Sequence, residues 1–307
     1  MRALRAVGIA AVLLAVGATG GALAQEPDVS IEVVPVAGNV VMLHSGVAGN
    51  VGVSSGTDGV LMVDDKIAPL AEELQAALAG VSEQLLVFLL NTHWHHDHTG
   101  TNPAFGPEAL IVAHDNVRKR LSTDQRLGER TFEAMPPEGL PVLTFDRSLS
   151  IHFNGEEIRA IHLPRGHTDG DVAVWFTESN VIHMGDQFFN GIFPFVDLAT
   201  GGDVEGFTAN VAKVLEKIPA DAAVIPGHGP LGTVEDLREF HRMLVETTGF
   251  VRDAIAAGSS LEEIRAEGLP AEWEGWAWEF ISEETWIGIV HASLTRSEDT
   301  PESSHGH

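Results

Sequence analysis

Neither cysteine nor tyrosine occurs among the 307 residues. The first absence removes disulfides, thiolate metal ligands and a cysteine nucleophile together. The second removes the phenol as a general acid. Basic residues are scarce, with 18 Lys and Arg against 44 Asp and Glu, a formal charge of −26. A chain of that sign repels phosphate backbones and anionic membranes at long range, so no nucleic-acid partner is expected. No stretch beyond the N-terminal region approaches the ~20 apolar residues of a membrane span. The chemistry left to this chain rests on His, Asp, Glu, hydroxyls, backbone amides and metal.

The N-terminus has Arg2 and Arg5, an apolar run from Ala6 to Val16, and Ala22-Leu23-Ala24 before Gln25. This is the pattern of a secretory signal peptide. Residues 1–24 are therefore expected to be removed, the mature chain to work in the periplasm or outside the cell, and no stable membrane insertion to remain. Residues 25–300 read as one domain, and 301–307 as a disordered tail.

Strand-like and helical patterns alternate along that domain. Val33–Ser45 and Val51–Asp64 are β-branched and broken by glycines, as in a meander of short strands. Pro69 opens a helix over Leu70–Ala79, and Leu85–Leu90 is an apolar run of strand length ending at Asn91. Ala109–Ala113 reads as a strand, Asn116–Arg120 as a helix, and 122–141 as a polar connection. Strands follow at Leu149–Phe153, Ile158–Leu163, Val172–Phe176 and Val181–Met184. Val204–Ile218 is helical by its apolar spacing, Ala222–Ile225 is a last buried strand, and Val234–Ala257 a long helix. The order predicts an α/β fold of two sheets sandwiched between helices.

His93-Trp94-His95-His96-Asp97-His98 places five candidate ligands in six residues, just past a strand's carboxyl end. Three more follow in glycine-containing settings: His167 after Arg165-Gly166, Asp186 after Met184-Gly185, and His228 between Gly227 and Gly229. Imidazole and carboxylate donors suit Zn²⁺, and also Fe and Mn. His93 and His95 can reach one ion, with His167 completing its set. Asp97 and His98 can reach a second, completed by His228, and Asp186 can place one oxygen on each. Each ion keeps an open position, as catalytic metals do. His96, between these residues, is expected to point away, and Asp169 and Asp171 to shape the turn after His167.

These motifs resemble the metallo-β-lactamase superfamily. The matching residues are Asp64, His93-x-His95-x-Asp97-His98, His167, Asp186 and His228, over most of the chain from Val33 to Gly229. The resemblance implies an αβ/βα sandwich of two mixed sheets. It also implies a dinuclear site with His93, His95 and His167 on one ion, Asp97, His98 and His228 on the other, and Asp186 bridging. Asp64 would stand behind the ligands and orient them through hydrogen bonds. The absent cysteine excludes the β-lactamase subclass that uses a cysteine ligand. The full ligand set looks more like glyoxalase II, the acyl-homoserine lactonases and exported members. Lactonases with an active-site tyrosine match poorly, and an exported location argues against glyoxalase II.

The activity this implies is hydrolysis of a small carboxylic ester, lactone, thioester or β-lactam-type amide by a hydroxide bridging two Zn²⁺ ions. Asp97 would orient that hydroxide and carry a proton. No basic residue in the motifs is obviously placed for a β-lactam carboxylate, Arg165 and Lys213 being guesses. The alternatives are a mononuclear iron enzyme oxidising persulfides and a non-catalytic metal-binding protein. Trp94 and the run Phe188-Phe189-Asn190-Gly191-Ile192-Phe193-Pro194-Phe195 supply apolar surface beside the ligands. Trp94, Phe188, Phe189, Phe193 and Phe195 are therefore expected either to wall the substrate pocket or to fold onto the core.

Overall fold

The computed structural model describes residues 29–296. The signal-peptide reading of 1–24 and the tail at 301–307 lie outside the described residues. The chain runs through β1 (Glu32–Ala37), β2 (Val40–His44), β3 (Val51–Gly56), β4 (Gly59–Val63), α1 (Ala71–Val81) and β5 (Leu86–Leu90). The short helices α2 (His96–Thr99) and α3 (Asn102–Phe105) lead to β6 (Leu110–His114), α4 (Asp115–Leu121), β7 (Gln125–Leu127), β8 (Arg130–Phe132) and β9 (Leu143–Phe145). Next come β10 (Ser148–Phe153), β11 (Glu156–His162), β12 (Val172–Phe176), β13 (Val181–His183), α5 (Val204–Leu215) and β14 (Ala223–Ile225). The described chain closes with β15 (Gly232–Thr233), α6 (Val234–Ala256), α7 (Leu261–Glu267) and α8 (Glu283–Thr295).

Two mixed sheets face each other, in the orders β1-β2-β3-β4-β5-β6-β9 and β10-β11-β12-β13-β14-β15. Side-chain alternation explains the layering. Along β4, Leu61 and Val63 point into the core between the sheets with Ile158, Val172, Val174 and Ile225, whereas Val60 and Met62 point outward to Leu74 of α1. In the second sheet Val181 faces inward, while Ile182 packs outward with Phe207 of α5 and Phe240 of α6. Both faces of the central strands are thus covered, which is why β4 is buried along its whole length. No described helix is long and apolar enough to cross a membrane.

One part of the sequence reading changes. The polar connection 122–141 contains a small antiparallel hairpin, β7 paired with β8, turning at Gly128 with φ of +60°.

β4 pairs parallel with β5, and β13 parallel with β14. β11 lies antiparallel to β12, and β12 to β13, so β11 also runs in the direction of β13. The carboxyl ends of β4, β5, β11, β13 and β14 therefore open towards loops that carry Asp64, His93 to His98, His167, Asp186 and His228 in turn.

Candidate metal centre

Asp186 sits in the middle of the cluster. Its Oδ2 lies 3.3 Å from His167 Nε2 and 3.7 Å from His93 Nε2. Its Oδ1 lies 3.0 Å from His98 Nε2 and 3.4 Å from His228 Nε2. His95 Nδ1 is 2.8 Å from His167 Nε2, and His98 Nε2 is 3.3 Å from His228 Nε2. Asp97 Oδ2 lies 3.3 Å from His228 Nε2. The donor atoms form two groups, His93, His95, His167 and Asp186 in one and Asp97, His98 and His228 in the other, each within 4.8 Å.

These separations suit metal coordination. Two donors at ~2.0–2.1 Å from one tetrahedral ion lie ~3.3 Å apart. The buried His93 Nε2 and Asp186 Oδ1 have no hydrogen-bond partner, although an orphaned buried polar atom costs about 1–3 kcal/mol. Such atoms in a knot of imidazoles and carboxylates are what a cation would satisfy.

Local sequence explains how the ligands come so close. A Cβ on Gly227 would fall 2.1 Å from Asp186 Oδ1, and one on Gly49 would fall 2.1 Å from the His98 ring. Both positions need glycine for close approach. Asp64 and Lys66 both hold positive φ, 62° and 70°, a costly conformation for residues with side chains. Hydrogen bonds hold them there. Asp64 accepts from the Thr92 backbone N–H (2.7 Å) and Thr92 Oγ1 (2.7 Å), and its Oδ2 lies 2.8 Å from His98 Nδ1. The buried Lys66 ammonium donates to the Gly49 carbonyl at 2.8 Å, and burial lowers its pKa to about 8.

Three further imidazoles, those of His93, His95 and His167, are oriented in the same way through the nitrogen facing away from the centre. Thr92 Oγ1 lies 3.0 Å from His93 Nδ1, and His167 Nδ1 donates to the Phe195 carbonyl at 2.7 Å. His95 Nε2 lies 3.2 Å from Asp197 Oδ2. Asp197 escaped the sequence reading, because Asp197-Leu198-Ala199-Thr200 looks like an ordinary capped turn, and Asp197 does cap it by accepting from the Ala199 and Thr200 backbone N–H groups. Its other oxygen accepts from Thr200 Oγ1 at 2.6 Å. Removing a carboxylate that orients a ligand commonly costs about 10–100-fold in metal affinity. Asp197→Ala should therefore weaken zinc binding by about that factor without unfolding the chain. Competition against a chelator of known affinity reads it, and unchanged affinity would show that the contact does not support His95.

Electrostatics follow from burial and crowding. Burial alone would raise the Asp186 carboxyl, yet His98 and His228 hold it well below the ordinary range. Asp97 behaves alike, with His98 and His228 outweighing burial. Burial lowers the His167 pKa to about 4, and burial with the nearby His98 lowers that of His93. His93 and His167 are thus kept free of protons, the state in which imidazole binds metal. At His98 and His228, by contrast, Asp186 and Asp97 outweigh burial and raise both, His228 to about 9, so that a metal bound there displaces protons.

The remaining sequence expectations sort clearly. His96 is exposed, with its ring 4.7 Å from Phe132. Asp171 accepts from the Thr168 backbone and hydroxyl and from Gln187 Nε2, and Asp169 pairs with Arg120. Arg165 pairs with Asp203 at the surface, and Lys213 lines a cleft beside Trp175 and Ile182 that includes none of the metal-centre residues. The pocket-wall reading needs correction at four residues. Trp94 is buried and packs with Val117, Leu121 and Phe132, anchoring the metal loop to α4. Phe188 and Phe193 are fully buried in the helix-covered core. Phe189 is buried and stacks on the His228 ring, 5.1 Å between centroids. Phe195 alone is half-buried, with its ring 6.0 Å from His95 and 5.9 Å from His167. These apolar side chains gain more by joining the core than by lining an open cleft.

Comparison with known proteins places this geometry in context. The family model described as the metallo-beta-lactamase superfamily matches residues 46–228. A hydroxyacylglutathione hydrolase of Polaromonas sp. is 30% identical over 165 residues, 53% of this chain and 56% of that protein. The metallo-beta-lactamase type 2 of Bacteroides fragilis is 24% identical over 161 residues, 51% of this chain and 59% of that one. The chain thus spans little more than half the length of these curated relatives. A metallo-beta-lactamase structure from Pontibacter korlensis superposes with a TM-score of 0.58 at 18% identity, over 70% of this chain and 99% of that one. At that identity it is the fold that is shared.

Proposed function

Because the chain belongs to the metallo-beta-lactamase superfamily, we propose that it is a dinuclear zinc hydrolase of small carboxylic esters, lactones, thioesters or β-lactam-type amides. The observation that carries this reading is Asp186, whose two oxygens face two separate donor groups. His93, His95 and His167 would hold one ion, and Asp97, His98 and His228 the other. When bound, such ions lower the pKa of a water molecule towards ~7 and polarise an acyl oxygen.

The chain's own residues do the rest. Asp64, Asp197, Thr92 and the Phe195 carbonyl fix the rings, so that little reorganisation is needed during reaction. Asp97 is the most exposed member of the set, its side chain 28% accessible against 5% for Asp186. Ionised and at the open side, Asp97 is placed to orient the attacking water and to pass a proton to the leaving group. The N-terminal sequence supports action outside the cytoplasm. The Polaromonas relative's name points to a thioester, one member of the substrate class. The test is a screen of nitrocefin, lactones, thioesters and p-nitrophenyl esters with the full chain. Turnover should vanish on chelation and return with Zn²⁺. Oxygen consumption with a persulfide by a protein holding one iron would replace this reading with that of an oxidase.

A further inference from the structure

Resting on that reading, we infer that Trp278 and Phe280 form an aromatic subsite beside His228, which takes an uncharged, aryl-bearing part of the substrate. The open side of the centre supplies the first reason. Side chains of His93, His98 and His167 are 0–1% accessible, whereas His228 is 17% and Asp97 28%. Among the described ligands those two are the most accessible, ahead of His95 at 7% and Asp186 at 5%, so the widest approach to the centre runs over them.

Trp278 stands at that approach, its ring 6.0 Å from the His228 ring and tilted by 37°. It is held there by its indole N–H, which donates to the Phe193 carbonyl at 2.9 Å, and by its backbone N–H, which donates to the Ile281 carbonyl at 3.1 Å. The Phe193 N–H in turn donates to the Trp276 carbonyl at 2.9 Å. With its single donor satisfied, the indole offers a fixed apolar face.

Phe280 extends that face, 5.6 Å from Trp278 and tilted by 31°. It is 71% exposed and is the one aromatic among the exposed large hydrophobic residues described. A scattered exposed aliphatic residue is ordinary. An exposed phenylalanine continuing a row of rings from a metal ligand to solvent is a contact surface without its partner. The intervening Glu279 and the charge of −26 disfavour an anionic tail. The segment lies beyond the family match at 46–228.

Binding tests the subsite without turnover. The full chain loaded with Zn²⁺ is titrated calorimetrically with 4-phenylbutyrate and with butyrate, whose carboxylates are alike and which differ by the aryl group. Wild type should prefer 4-phenylbutyrate by about tenfold, the scale expected for a ring half-covered by apolar contacts. Phe280→Ala, at an exposed position, should cut that preference about threefold or more, and Trp278→Leu should cut it further. Leu85→Ala, equally apolar and 81% exposed, should keep it, and melting curves check that every variant folds. Retention of the full preference in Phe280→Ala and Trp278→Leu overturns the subsite, as does a wild type that has no preference or fails to bind 4-phenylbutyrate. A preference that depends on Phe280 in a protein turning over none of the acyl substrates upholds the subsite and removes the hydrolase reading. Turnover of esters with no dependence on Phe280 does the reverse.

Discussion

Asp186→Ala should strip metal from both positions, whereas His96→Ala should leave metal content near that of wild type. Asp186 faces His93 and His167 with one oxygen and His98 and His228 with the other. Its loss removes one donor from each group and the negative charge shared among four imidazoles. The expected fall in affinity exceeds the roughly hundredfold upper range for residues that only orient ligands. His96 lies two residues before His98 yet faces Phe132 and solvent. Elemental analysis after gel filtration, with circular dichroism to confirm folding, compares the two variants. Equal metal loss would mean that the ligand assignment along His93 to His98 is wrong.

Phe193→Ala should cost about 3–5 kcal/mol of stability, the usual range for truncating a buried phenylalanine. Phe193 is inaccessible to solvent, stacks 6.1 Å from Trp286 at 14°, and lies 6.4 Å from Trp276. At ~2–4 °C per kcal/mol for large domains, melting should fall by roughly 6–20 °C. Phe195→Ala, at a half-buried ring, should lose far less. The contrast can be read by differential scanning calorimetry of the metal-free proteins, where ligand binding cannot mask it. Near-equal melting of Phe193→Ala and wild type would return Phe193 to the substrate wall.

That pair of phenylalanines shows where sequence reading stops. A cluster of Phe188, Phe189, Phe193 and Phe195 announces apolar burial, but core and pocket use the same side chains. Only the long-range partners Trp276, Trp286 and Phe240 decide between them, and nothing local encodes those contacts. Asp197 was hidden for a related reason, since its cap and its contact with His95, 102 residues away, share one carboxylate. The β7–β8 hairpin has strands of three residues with one half-buried apolar side chain each, Leu127 and Phe132, too short to leave a period-2 apolar signal. By contrast, β4, β5 and α5 were legible, because burial on one or two faces imposes a period on the sequence. The gathering of candidate ligands was legible too, because few residue types donate to such metals, and the glycines beside Asp186 and His228 mark backbone that must approach closely.

Metal stoichiometry tests the account most directly. The full chain, purified without added metal and then equilibrated with Zn²⁺ and desalted, should hold two ions per chain. Chelation should remove both, together with hydrolytic turnover, and Zn²⁺ should restore both. A single ion per chain at saturation, with full activity retained, would contradict a centre in which Asp186 joins two metal positions.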